Sequence, residues 1–182
     1  MKGTLTKVPL PFSGEMRLRA PAKWSKPLVT THPPRRCSGR TDCIAWAKDQ
    51  GAERLVDLAT LTGAIIISLG STYAGLMSND DDWAAQVSAA GDETGEIVWR
   101  LPLHPEFAEL IKGQYGDLDN APEGRKAGSI TAAEFLRKFV GDTPWAHLDI
   151  AGTAWDIGRP YAQKGGSGFG VRLLVQLARE LS

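Results

Sequence analysis

The sequence predicts an α/β fold, and this prediction rests on three stretches of the chain. A run of mostly branched apolar residues begins at Leu55, which is typical of a strand buried on both faces of a sheet. Residues 42–48 have helical spacing, with Thr41 as their predicted N-cap, so a helix leads into that strand. Residues 145–150 form a second strand-like run directly after an amphipathic helix predicted over residues 129–140. Helices that alternate with buried strands indicate a sheet covered by helices.

Two further strands are predicted in the middle of the chain. An apolar segment runs through Gly75, Leu76 and Met77. Residues 95–103 hold the other, and Pro102 ends it because proline cannot donate a hydrogen bond to a neighbouring strand. The sequence therefore supplies several strands with helical segments between them.

The remaining helices are predicted from their start signals. Acidic residues 80–82 open a helix over residues 83–90, because carboxylates suit the positive end of the helix dipole. This acidic cluster lacks the ligand spacing of a calcium loop, so capping is the favoured interpretation. Pro105 suits the first position of a helix over residues 105–111. The predicted apolar face of the last helix, within residues 168–181, comprises Val171, Leu174, Val175 and Ala178.

Charge and proline content divide the sequence near Arg40. Nine of the 21 Lys and Arg residues but one of the 21 Asp and Glu residues lie in residues 1–40, so the formal net charge of +0 conceals a basic head and an acidic body. Six of the 11 prolines also lie there. We predict a disordered basic segment over residues 1–40 and a folded domain over residues 41–182. A solvated tail is favoured over a transit peptide, because the prolines disrupt an amphipathic helix. It is also favoured over a nucleic-acid-binding arm, because Trp24 is the single tryptophan among the cations.

Several classes of protein are not expected from this sequence. No apolar run approaches the roughly 18 residues that a membrane-spanning helix needs, and no secretory signal pattern is present. We therefore expect a soluble, cytoplasmic protein with no membrane partner. Cys37 and Cys43 fit neither a redox pair nor common zinc spacings, so both are predicted to be reduced thiols.

The end of the first predicted strand carries the polar residues with the clearest functional interest. Thr60, Thr62 and Gly63 follow it, and ligands of open α/β sheets bind beyond the carboxyl ends of strands. The spacing alone fits equally well a strand end whose hydroxyls make local hydrogen bonds.

Residues 57–64, Asp-Leu-Ala-Thr-Leu-Thr-Gly-Ala, resemble the signature of the leucyl (cytosol) aminopeptidase family. Four later blocks resemble the same family in the same order, at residues 95–103, 117–120, 128–136 and 145–155. The resemblance implies a three-layer α/β/α fold with a mixed, mostly parallel sheet, truncated in this chain. It also implies peptide N-termini as substrates, homohexamers, and two divalent metal ions, which are zinc, manganese or magnesium.

The resemblance also implies a set of substrate-binding residues. Those that contact the peptide main chain or line the specificity pocket are Thr60, Leu61, Thr62, Gly63, Ala151 and Ala154.

The family's metal-binding motif, Asn-Thr-Asp-Ala-Glu-Gly-Arg, is expected at residues 31–37. The chain has Thr-His-Pro-Pro-Arg-Arg-Cys there, so Pro33 and Arg35 stand at the carboxylate positions and Cys37 at that of the catalytic arginine. The family's upstream lysine and aspartates are not found either. We therefore expect no catalytic residue, metal ligand or cofactor in this chain.

His147 and Asp149 are the remaining candidates for metal ligands. As i and i+2 residues of a strand they share one face of the sheet and could reach one ion. Two ligands are too few for a tight site, and a structural role is favoured.

Three hypotheses follow from the sequence. The chain is an inactive portion of a leucyl aminopeptidase catalytic domain, a non-catalytic subunit that oligomerises or binds peptide ends, or a hydrolase with an improvised site. The abrupt loss of pattern near residue 41 favours the first, because gradual divergence leaves traces of a motif.

Overall fold

The computed structural model describes residues 7–9, 15–17, 39–113, 116–120, 126–155 and 164–181. The chain divides into two units, Met1–Glu53 and Arg54–Leu181. Apart from residues 7–9, 15–17, 39 and 40, the segment predicted to be disordered lies outside the described residues. In the first unit, the described strands β1 (Lys7–Pro9) and β2 (Glu15–Arg17) pair antiparallel, and α1 spans Arg40–Asp49. No helix in the described ranges is long and apolar enough to cross a membrane.

Helix α1 confirms the predicted helix but begins earlier than predicted. Its N-cap is Gly39, not Thr41, and the Gly39 N–H donates to the Asp42 carboxylate at 3.2 Å. The acidic side chain thus satisfies a main-chain donor that precedes the helix. The thiol of Cys43 donates to the Gly39 carbonyl at 3.3 Å and is in no disulfide, while Cys37 lies outside the described residues.

The second unit contains the sheet and the helices that cover it. Its described strands are β3 (Leu55–Ala59), β4 (Ala74–Ser78), β5 (Val98–Arg100) and β6 (Trp145–Asp149). Its described helices are α2 (Gly63–Leu69), α3 (Asp81–Thr94), α4 (Pro105–Glu109), α5 (Gly128–Val140) and α6 (Val171–Glu180).

The four strands form one open sheet in the order β3-β6-β4-β5. The β3–β6 and β4–β5 pairs are parallel, and β6 and β4 are antiparallel, so the predicted mixed and mostly parallel sheet is confirmed. Asp57 is opposite His147, and Ala59 is opposite Asp149. The last strand in the sequence is therefore inserted between the first two strands of this unit.

Helices lie on both faces of the sheet, as the predicted three-layer α/β/α fold requires. On one face, α3 and α6 pack on each other over Ala146 and Leu148 of β6. The alternate β6 residues, Trp145, His147 and Asp149, lie on the opposite face, which α2 and α5 cover. The polar residues of β6 are thus separated from the apolar core.

The predicted apolar face of α6 is correct at Leu174, which packs against the core, and wrong at Val171 and Val175. Leu173 and Leu177 are the buried residues of this helix, whereas Val171 is 61% exposed and Val175 is 44% exposed. Residues two positions apart lie about 200° apart around a helix, so a face centred on the two leucines turns both valines away from the core.

Candidate functional site

Two loops leave the sheet at the same edge and carry every substrate-binding residue predicted from the sequence. Because β3 and β6 are parallel neighbours, their carboxyl ends lie side by side. Residues 60–63 follow β3, and residues 150–155 follow β6. The structure therefore brings together two segments separated by almost 90 residues in the sequence.

Asp149 connects these two loops. Its Oδ1 accepts hydrogen bonds from the main-chain N–H groups of Leu61 at 3.1 Å, Thr62 at 3.4 Å and Ala151 at 3.3 Å. Its Oδ2 accepts from the Thr62 hydroxyl at 2.6 Å. The side chain is fully buried, so four donors compensate a carboxylate that has no contact with solvent.

Thr62 also joins the loop to both helices on this face of the sheet. It is the N-cap of α2, with its hydroxyl accepting from the Ile65 N–H at 3.3 Å. Its hydroxyl oxygen lies 2.8 Å from that of Ser129, in the first turn of α5. Helix α2 is not among the helices predicted from the sequence.

The loop after β6 is a tight turn held by main-chain hydrogen bonds. The Ala154 N–H donates to the Ile150 carbonyl at 2.9 Å, and the Ala154 carbonyl accepts from Ser167 at 2.8 Å. Gly152 is buried against the end of α2, where a Cβ atom would overlap the carbonyl oxygen of Gly70. Ala151 and Ala154 thus lie on a turn fixed against the same helix that Thr62 begins.

A second polar network lies on the same face of the sheet, at the preceding pair of opposed residues, Asp57 and His147. Asp57 accepts a hydrogen bond from the Trp145 indole N–H at 2.6 Å and lies 2.7 Å from His147 Nδ1. An ionised carboxylate can only accept, so His147 Nδ1 carries the hydrogen. His147 Nε2 is buried and has no hydrogen-bond partner among the described residues.

The hydrogen bonds of His147 and Asp149 decide whether these two candidate metal ligands can bind one ion. His147 is directed to Asp57, and the oxygens of Asp149 are directed to main-chain and hydroxyl donors, so the two side chains do not converge on one point. In the ranges that the structure describes, no group of three or more His, Cys, Asp or Glu side chains is placed to hold a metal ion. The described donor set therefore does not fit a pair of divalent ions.

A cavity of about 550 Å³ among the described residues is not part of this arrangement. It lies beyond the carboxyl ends of β4 and β5, and β4 is antiparallel to β6, so it opens at the opposite edge of the sheet. Its two cationic side chains are paired, Arg100 with Asp81 and Arg137 with Glu134. Its lining residues are Ser78, Asn79, Asp81, Arg100, Leu101, Pro102, Leu103 and Arg137.

Comparison with known proteins identifies the family of this chain. The family model described as the cytosol aminopeptidase family, catalytic domain, matches residues 40–175. The chain belongs to the cytosol aminopeptidase family.

Similar proteins are named probable cytosol aminopeptidases. The chain is 53% identical over 145 residues to one from Xanthobacter autotrophicus, a match that covers 76% of this chain and 28% of that protein. It is 51% identical over 143 residues to one from Brucella melitensis, covering 76% of this chain and 29% of that protein. It is 52% identical over 141 residues to one from Alkaliphilus oremlandii, covering 77% and 28%. The matched region thus spans less than a third of each relative.

Proposed function

We propose that this chain is a portion of a two-metal leucyl aminopeptidase that retains the peptide-binding loops but is inactive on its own. The observation that carries the proposal is the convergence of residues 60–63 and 150–155 on the Asp149 carboxylate within a chain of this family. The family reaction is the hydrolytic release of N-terminal amino acids from peptides. The binding partner proposed for this chain is accordingly a peptide N-terminus, held by Thr60, Leu61 and Gly63.

The proposed loss of activity follows from the donors that the chain supplies. Two-metal hydrolysis needs several carboxylates that converge on two ions about 3.5–4 Å apart, whether the ions are zinc, manganese or magnesium. Residues 31–37 contain no Asp or Glu, and Arg35 and Arg36 place cations there instead. Asp149 already accepts four hydrogen bonds, so binding a metal would cost it those contacts. The polar groups of the loops can orient a peptide but do not supply a nucleophile.

We therefore expect the isolated chain not to hydrolyse leucine p-nitroanilide above the rate in buffer, with or without added zinc or manganese. The protein should be produced in a host that lacks its own leucyl aminopeptidase, and product formation should be followed by absorbance. The Brucella melitensis relative, prepared in the same way, is the matched positive control. Replacing residues 31–37 with the family motif should leave the rate unchanged, because the upstream ligands would still be missing.

One result would replace this proposal with the improvised-site hypothesis. That result is turnover by the isolated chain that disappears both with a chelator and with Asp149→Asn. Turnover that survives Asp149→Asn, whether or not the chelator stops it, would instead indicate a contaminating enzyme.

We also propose that the chain associates with copies of itself, as a cytoplasmic protein whose family forms homohexamers. Ile67 is 90% exposed and Trp155 is 64% exposed, and β3 has no partner strand on its outer side among the described residues. Exposed apolar side chains and open strand edges both favour association. Light scattering at micromolar concentration should give a mass above that of one chain. A clean monomer would contradict this proposal and the non-catalytic-subunit alternative that depends on assembly.

A further inference from the structure

The hydroxyl groups of Thr62 and Ser129 form a relay whose direction is fixed by Asp149. An ionised carboxylate only accepts hydrogen bonds, so the Thr62 hydroxyl hydrogen points to Asp149 Oδ2, 2.6 Å away. Because the single hydroxyl hydrogen of Thr62 is donated to Asp149, the Ser129 hydroxyl must be the donor in the 2.8 Å contact between the two hydroxyl groups. The hydrogen bonds therefore run from Ser129 to Thr62 and from Thr62 to Asp149.

This relay saturates the Thr62 side chain. Its oxygen donates once, to Asp149, and accepts twice, from Ser129 and from the Ile65 N–H at 3.3 Å. One donor and two lone pairs are all that a hydroxyl offers. A rotation of the Thr62 side chain would break three contacts in a region where Ser129 is 4% exposed and Asp149 is fully buried.

The same carboxylate fixes the main chain on both sides of the edge. Asp149 accepts from the N–H groups of Leu61 and Thr62 in one loop and from Ala151 in the other. The side chain that orders the Thr62 hydroxyl therefore also sets the distance between the two loops.

We propose that Ser129, Thr62 and Asp149 are positioning residues for peptide binding, which lock residues 60–63 and the turn at Ala151 in the conformation that receives a peptide. Ser129 differs from the other two because it lies in α5, outside both loops. Its hydrogen bond to Thr62 makes the position of the loop after β3 depend on the position of α5. This inference rests on the proposed peptide-binding function. It assigns Ser129 a role in affinity although its side chain is buried.

Two kinds of measurement on the whole chain test this proposal. Amide hydrogen exchange at Leu61 and Thr62, followed by NMR, reports the relay without any ligand. Titration with the dipeptide leucyl-glycine, with N-acetylated leucyl-glycine as the comparison, reports the affinity for a peptide N-terminus. In the unmodified chain, we expect the Thr62 hydroxyl proton to be visible because its exchange with water is slow, and leucyl-glycine to shift the resonances of Leu61 and Gly63.

Substitutions of the two hydroxyls should affect both measurements. Ser129→Ala and Thr62→Val should each speed amide exchange at Leu61 about tenfold and weaken leucyl-glycine binding about five- to tenfold, as expected for losing one buried hydrogen bond. Thr62→Ser, which keeps the hydroxyl, should restore both values to within about twofold of the unmodified chain, a rescue that loss of packing alone does not predict.

The matched controls remove hydroxyls of the same types elsewhere in this unit. Ser68 bonds to the Ala64 carbonyl on the exposed side of α2 at 3.1 Å, and Thr94 bonds to the Ala90 carbonyl within α3 at 2.8 Å. Ser68→Ala and Thr94→Val should leave exchange at Leu61 and Thr62 unchanged. The inference is overturned if Ser129→Ala moves these rates no more than Ser68→Ala does, or if Thr62→Ser behaves like Thr62→Val.

The two measurements separate this inference from the proposed function. If the unmodified chain fails to bind leucyl-glycine, the proposed peptide binding is wrong, and the positioning role falls with it even if the exchange rates show the relay. If the chain binds leucyl-glycine and Ser129→Ala leaves the affinity unchanged, only the positioning role is overturned. Should Thr62→Val fail to fold, Ser129→Ala compared with Ser68→Ala decides the question.

Discussion

Gly152→Ala should lower the free energy of unfolding by about 3 kcal/mol, because the added methyl group has no room. The Cβ atom would overlap the carbonyl oxygen of Gly70, which is main chain and cannot rotate aside. Gly70 ends α2 with a φ of +61°, a conformation that favours glycine, so the collision cannot be relieved by moving that residue freely. Relief requires the turn after β6 and the end of α2 to separate.

Urea denaturation, followed by tryptophan fluorescence, gives the free energy for this comparison. Gly166→Ala is the matched control, because a Cβ atom at Gly166 meets nothing within 4 Å and its φ is not positive. The control should change stability by less than about 1 kcal/mol. Equal losses for the two variants would contradict the close contact between the turn and α2.

The strands of the sheet could be predicted because their local composition is typical of buried strands. Leu55–Ala59 and Trp145–Asp149 are short and largely apolar, and the structure confirms a strand at each place. Their order in the sheet could not be derived in the same way, since β6 is inserted between β3 and β4 by packing across the whole unit. The resemblance to a known family predicted a mixed, mostly parallel sheet but not this strand order.

Helix α2 and the buried face of α6 show two limits of local patterns. The three isoleucines at residues 65–67 suit a strand by β propensity, but the N-cap hydrogen bond of Thr62 begins a helix there. In α6, apolar residues occur on more than one side of the helix, and contact with α3 selects Leu173 and Leu177. A local N-cap decided the first case, and tertiary packing decided the second.

The sequence supplied candidate substrate-binding residues but not the contacts that connect them. Residues 60–63, Ala151 and Ala154 came from the resemblance, whereas the roles of Asp57 and Ser129 were not predicted. Asp57 contacts His147 across 90 positions in the sequence, and Ser129 contacts Thr62 across 67. One signal was available: Asp57 and His147 stand two residues before Ala59 and Asp149, so alternation places both pairs on matching faces once the strands are known to be neighbours.

Asp57→Ala should lower the free energy of unfolding by about 3–5 kcal/mol. It leaves the Trp145 indole N–H and the His147 Nδ1–H without the acceptor that each now has, and both side chains are fully buried. An unsatisfied buried donor costs about 1–3 kcal/mol, and two are created here.

Asp82→Ala, on the exposed first turn of α3, is the matched control and should cost less than about 1 kcal/mol. The nitrogen chemical shifts of His147 provide the second measurement: the unmodified chain should show a protonated Nδ1, and Asp57→Ala should lose that preference because the carboxylate no longer selects the tautomer. A loss no larger than that of Asp82→Ala, with the His147 tautomer unchanged, would show that Asp57 does not hold these two side chains.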